Sequence, residues 1–224
     1  MTKPALSTRT SPLYTVSQAA RLAGTTPQTA RRWLLGYRVA GHSMQPVFSR
    51  DAEQPLLSFL DLIELVVAVR FRRGAPGKPM SLERVRSAHH FMRGVLRIEH
   101  PFASTRLRSE GGHILHDFET ADPAPRTLAV DLHGNYVLPN LVTEQLEAMD
   151  FASEDGLAVR WFPAGKAVPI VVAPGLGTGL PVVQGTNLRV SVIKARFDSG
   201  VKIEDLAVDF DLDSATVQAA LRAA

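Results

Sequence analysis

Apolar residues recur at helical spacing at Val16, Ala19, Ala20 and Ala23, until Gly24 interrupts the pattern. A second helix is predicted almost at once. Thr26 is a good N-cap, Pro27 is pre-set for the first helical position, and the run extends to about Leu35 before Gly36 stops it. Between Tyr37 and Leu57, Gly41, Pro46 and Pro55 break any longer helix, and strand-like pieces such as Gln45 to Phe48 predict a wing. Ser58 then caps a strongly apolar helix, Phe59 to Arg73, ended by Gly74-Ala75-Pro76-Gly77. Ser81 caps the next, from Leu82 to about Ile98, whose Arg84, Arg86, Arg93 and Arg97 are read as a solvated face, with a second DNA contact as the alternative.

The pattern changes downstream. Thr105 to Arg108 and His113 to Phe118 flank Gly111-Gly112, and Thr127 to Leu132 and Tyr136 to Leu138 flank His133-Gly134-Asn135, two hairpin-like arrangements. Thr143 to Met149 reads as a helix, Leu157, Val159 and Trp161 alternate as in a strand, and Ile170 to Ala173 forms another apolar piece. After the loop Pro174 to Thr186 the chain turns helical again, at Ser191 to Ser199, at Ile203 to Phe210, and from Ser214 as cap to the end. The expected architecture is therefore α+β: a winged helix-turn-helix over residues 1–75, a linking helix and a mixed or β-rich section over 76–173, and a three-helix, helix-turn-helix-like bundle over 174–224.

Charge sharpens this division. Residues 1–50 hold seven basic groups and no acid, whereas all 22 acids fall after position 50, so a basic head of +7 joins a body of −4. Such a head suits a polyanion. The 224 residues include no cysteine, which excludes disulfides, thiolate metal sites and a cysteine nucleophile and makes a reducing cytoplasm the expected location. No apolar leader opens the chain, and the most apolar run, Leu62 to Val69, is broken by Glu64 and too short to span a bilayer, so secretion and membrane insertion are not expected.

In the head, Val16, Ala19, Ala20 and Leu22 can pack against Ala30, Trp33 and Leu34, which leaves Gln28, Thr29, Arg31 and Arg32 on the outer face of the second helix. Gln28 and Thr29 are expected at base edges, where glutamine can bond adenine in bidentate fashion. Arg31, Arg32 and Arg38 are expected at the backbone of double-stranded DNA. The competing reading is a basic helical hairpin with solvated arginines and Trp33 as its core anchor.

The stretch Tyr14-Thr15-Val16-Ser17-Gln18-Ala19-Ala20-Arg21-Leu22-Ala23, followed by Thr25-Thr26-Pro27-Gln28-Thr29-Ala30-Arg31-Arg32-Trp33, resembles the opening of MerR-type winged helix-turn-helix regulators. Their long coiled-coil dimerisation helix and effector cysteines are missing, so metal sensing does not carry over. Gly179-Leu180-Pro181-Val182-Val183-Gln184-Gly185-Thr186-Asn187-Leu188-Arg189-Val190, with Ser199-Gly200 and Glu204-Asp205 beyond it, is similar to a small bacterial domain family of formerly unknown function. Asn187 and Ser191 stand where that family usually has Arg and Pro. The order of the two parts resembles a longer VapB-type antitoxin. That resemblance implies a protein that neutralises a PIN-like ribonuclease toxin and represses the shared operon by binding operator DNA, as a homodimer or a hetero-oligomer with the toxin. Glu204, Asp205 and Asp209 are the acids expected to face a basic nuclease surface; read without a partner, they are solvated helix-end charges.

Enzymatic readings find little footing. Gly175-Leu176-Gly177-Thr178-Gly179 lacks the Lys and Ser/Thr of a phosphate loop, and there is no Gly-x-Ser-x-Gly elbow. His113 and His116 point to opposite faces of a strand, adjacent His89 and His90 diverge by about 100° on a helix, and both pairs are read as surface residues, with no metal or cofactor expected. Two alternatives remain beside the antitoxin: a stand-alone MerR-like regulator whose middle section senses a small molecule, and an adaptor that binds proteins only.

Overall fold

The computed structural model describes residues 4–39, 41–48, 56–73, 80–94, 97–107 and 140–223. Both expected hairpins between Thr105 and Leu138, with His113 and His116, lie wholly or largely outside the described residues. What is described is mixed α and β, with three small antiparallel sheets of two strands each among the described residues.

After a short helix α1 (Leu6–Thr10), helices α2 (Val16–Ala23) and α3 (Pro27–Leu35) follow the periodicity of the sequence. Thr15 and Gln18 make a reciprocal capping box on α2. Gly24 takes the left-handed conformation at φ 70°, which lets the chain reverse into Thr26, whose hydroxyl accepts the Thr29 amide hydrogen bond. Ala19, Ala20 and Ala23 are buried against the side of α3 that carries Ala30, Trp33 and Leu34. Small side chains on one helix let the large Trp33 fill the space between them.

Strands β1 (Tyr37–Val39) and β2 (His42–Met44) form the hairpin that follows, with Arg38 paired to Ser43. The strand-like piece Gln45 to Phe48 is not part of it. Pro46 has no amide hydrogen to offer a ladder, and Val47 instead donates its amide to the Trp33 carbonyl at 2.7 Å.

Helix α4 (Phe59–Arg73) is capped by Ser58 and Asp61 in reciprocal fashion and is buried along almost its whole length. Around it pack α2, α1, α5 (Leu82–Gly94), α6 (Asn140–Glu147) and a 3-10 turn, Pro101–Ala103. One apolar core therefore runs from Tyr14 through α4 to Val142, Met149, Trp161 and Val172. Helix α5 ends at Gly94, short of Ile98. Arg84 on it is only 7% exposed, and His89 is fully buried, so neither belongs to the solvated face expected of them.

Strands β3 (Met149–Phe151) and β4 (Ala158–Trp161) pair antiparallel, and β5 (Ile170–Val171) pairs with β6 (Val182–Val183). Helices α7 (Val190–Asp198), α8 (Ile203–Asp209) and α9 (Ser214–Arg222) close around a second core of Ile170, Val183, Val190, Ile193, Leu206, Ala207, Val217 and Ala220. The cap of α9 is Asp213 rather than Ser214, its carboxylate accepting the Thr216 amide at 2.6 Å.

Candidate functional site

Helix α3 turns Ala30, Trp33 and Leu34 inward, and the 3.6-residue repeat then forces Gln28, Arg31, Arg32 and Leu35 outward. All four are exposed, and Leu35 is 43% exposed despite its apolar side chain. Thr29 is different. It lies half-buried at the edge of that face, and its hydroxyl accepts from Thr26 Oγ1 at 2.9 Å while sealing the helix start.

Arg38 is exposed on β1, beside the exposed Val39. The Arg32 guanidinium lies over the Tyr37 ring, 5.2 Å from its centroid, which restrains its direction without using its hydrogen-bond donors. Behind this surface, α4 reaches the turn between α2 and α3: Arg73 Nη2 donates to the Gly24 carbonyl at 2.8 Å. A groove is lined by Gly24, Thr25, Thr29, Trp33, Val69, Arg72 and Arg73. Among the described residues, the exposed face of α3 thus carries Arg31 and Arg32, and the turn behind it is held by Arg73.

At the other end, Glu204 and Asp205 sit exposed in the first turn of α8, where the positive helix end favours them. Val208, 82% exposed, lies one turn further along the same face. Asp209 is employed within the molecule, since its carboxylate pairs with Arg196 of α7 at 2.7 Å. Three acids of one short helix thus have two environments, a distinction that composition does not carry.

Several buried polar groups escaped sequence reasoning. Glu64 is 2% exposed and faces two imidazoles, with His89 Nε2 3.0 Å from Oε1 and His100 Nδ1 3.8 Å from Oε2. The signal was present, because Glu64 is the single acid within the apolar run Leu62 to Val69. Arg9 is 3% exposed and bonds both Asp155 and the Leu157 carbonyl. Nothing in the local sequence marks that pair, which is separated by 146 positions. Asn187, where the similar domain family usually has Arg, accepts the Gly177 amide through Oδ1 at 2.6 Å.

Comparison with known proteins places these features in context. Residues 170–223 match a family described as a protein of unknown function, DUF433. The chain is 26% identical over 229 aligned residues to a Mycobacterium tuberculosis protein named "Putative antitoxin VapB45", covering 95% of this chain and 93% of that relative. It is also 26% identical to the uncharacterised protein Rv2308 of the same organism, over 93% of this chain and 88% of the relative. The crystal structure of Rv2018 from Mycobacterium tuberculosis superposes with a TM-score of 0.74 at 26% identity, covering 94% of this chain and 97% of that one.

Proposed function

We propose that this chain is the antitoxin of a type II toxin-antitoxin system, which neutralises a PIN-like ribonuclease and represses its own operon by binding double-stranded operator DNA. The observation that carries the reading is the outward face of α3. A braced helix exposes Gln28, Arg31 and Arg32, with Arg38 alongside, in a chain aligned over nearly its full length with a relative named as an antitoxin.

The geometry supports a division of roles. Helix α2 and the turn at Gly24 hold α3 from behind, in the manner of a MerR-like winged helix-turn-helix, with β1 and β2 as the wing. Gln28 and Thr29 meet base edges, Thr29 with its amide held by the Thr26 cap, and Arg31, Arg32 and Arg38 hold phosphates. At the far end, Glu204 and Asp205 rim a surface centred on Val208 and meet the basic side of the ribonuclease, while Asp209 keeps α8 in register with α7. The protein acts without catalysis of its own, in the cytoplasm, as a homodimer or a hetero-oligomer with the toxin, since operator half-sites are read by paired heads.

The test is genetic and biochemical together. The product of the neighbouring reading frame is expressed alone and with this chain. Growth arrest alone, growth with the chain present, and co-purification of the two are expected. A neighbouring product that is harmless alone and does not co-purify refutes the antitoxin reading.

A further inference from the structure

A carboxylate buried as deeply as that of Glu64 would ordinarily take up a proton, because burial penalises its charge. Its surroundings reverse this. The Phe102 amide approaches Oε1 at 3.4 Å, beside the His89 and His100 contacts described above. Burial pushes the Glu64 carboxyl up, yet His89, by its charge and its hydrogen bond, together with the more distant His100 outweighs it and holds the group at about 2. His100 moves in the complementary direction. Burial lowers its pKa, but the Glu64 carboxylate raises it further, with Asp61 and Glu99 adding to the pull. The neighbouring His90 is kept low, by burial first and then by the charges of His89, Arg86 and Arg93.

The cluster lies directly beneath the exit of the β1–β2 hairpin. The ring of Phe48 meets His89 edge-on, centroids 5.2 Å apart, and His89 meets Phe102 in the same way at 5.1 Å. Phe48 follows Val47 in the chain, and the Val47 amide donates to the Trp33 carbonyl of α3. An unbroken path of contacts therefore joins Glu64 on α4 to the helix that faces solvent with Gln28 and Arg32. The His100 side chain is 16% exposed, so its proton can exchange with water.

We infer that Glu64, His89 and His100 are positioning residues, which set the β1–β2 hairpin against α3 and make DNA affinity depend on the protonation of His100. The inference rests on the DNA-binding reading for its consequence, though not for the movement itself. Loss of the His100 proton to solvent leaves the Glu64 charge without part of its compensation in a low-dielectric site. The carboxylate then withdraws toward water, and the seat of Phe48 and Val47 between α4 and α5 loosens.

Two readouts test this across about pH 6 to about pH 8.5, the range in which imidazoles titrate: the hydrogen-exchange protection factor of the Val47 amide, and affinity for promoter DNA. In the wild-type chain both are expected to fall several-fold as pH rises. Glu64→Gln removes the buried charge and His100→Gln removes the titrating group, so each should flatten both profiles. His100→Gln is partly exposed and keeps the test available should Glu64→Gln fail to fold. Val47 protection independent of pH in the folded wild type, or unchanged pH profiles in the folded glutamine variants, overturns the inference. A chain that binds no DNA at any pH refutes the DNA-binding reading instead, and Val47 protection alone then decides the role of the cluster.

Discussion

The hydroxyl of Tyr14 donates a hydrogen bond of 2.8 Å to the carbonyl of Gly179, across 165 positions of sequence. Tyr14 is 1% exposed, and burial pushes its hydroxyl pKa up, so the group is a neutral donor throughout the physiological range. Its backbone also bridges to Leu57, just before the cap of α4, and its neighbour Thr15 caps α2. One residue thus ties the start of the helix pair, the central helix and the approach to β6.

Tyr14→Phe should therefore cost about 1 to 2 kcal/mol, the worth of a buried hydrogen bond whose acceptor is left unpaired. Gly179→Ala should cost more. Gly179 has φ +79°, and an added Cβ would stand 2.5 Å from Leu13 Cδ2 and 2.6 Å from Tyr14 Oη. Denaturant melts of the two variants check both the sign and the order.

Trp33 is 6% exposed between α2 and α3 and carries the carbonyl that holds Val47. Trp33→Ala should destabilise the fold by about 3 to 5 kcal/mol, as for other large buried aromatics. Thermal unfolding followed by circular dichroism gives the measurement. An unchanged midpoint with lost DNA affinity would instead make Trp33 a contact residue.

Much of this frame is legible in the sequence for a physical reason. Caps, glycine stops and helical spacing are local, so α2, α3, α4 and the three C-terminal helices can be read from neighbours within one or two turns. The burial of His89 and Arg9 cannot, because their partners lie far away in sequence or on other elements. Asp209 makes the same point at the candidate site. Its spacing equals that of a free surface acid, and only the approach of α7 supplies Arg196. Thr29, expected at a base edge with Gln28, also has a contact that helical periodicity does not show, its hydroxyl accepting from Thr26 Oγ1.

Asp155 offers a pH test. Its hydrogen bond with Arg9 lowers the carboxyl pKa below the ordinary value of 3.8, with the Leu157 amide adding to the effect. A depressed carboxyl contributes stability that is fully present above 3.8 and lost as pH falls through the folded value. Arg9→Met should remove that acid-side loss and cost about 1 to 2 kcal/mol at neutral pH, the partial exposure of Asp155 screening the pair. Urea melts at neutral and acidic pH distinguish the two proteins.

The acids of α8 should separate by role. Glu204→Gln with Asp205→Asn should lower the melting temperature only slightly, through the lost helix-end interaction, and abolish co-purification with the neighbouring product, since neither side chain bonds elsewhere among the described residues. Asp209→Ala should shift stability slightly, by about 0 to 1 kcal/mol, through its exposed pair with Arg196. Co-purification unaffected by the double amide variant would move the docking surface away from α8.

The central claim is that the outward face of α3 holds the phosphate backbone of operator DNA, and the salt dependence of binding measures this most directly. Affinity for the chain's own promoter is measured over a range of salt concentrations for the wild type and for the double variant Arg31→Ala, Arg32→Ala. Weaker binding is expected, with the slope of log affinity against log salt reduced by roughly one to two units, as each lost phosphate contact releases fewer counterions. Equal affinity and an equal slope in a folded double variant would contradict the account.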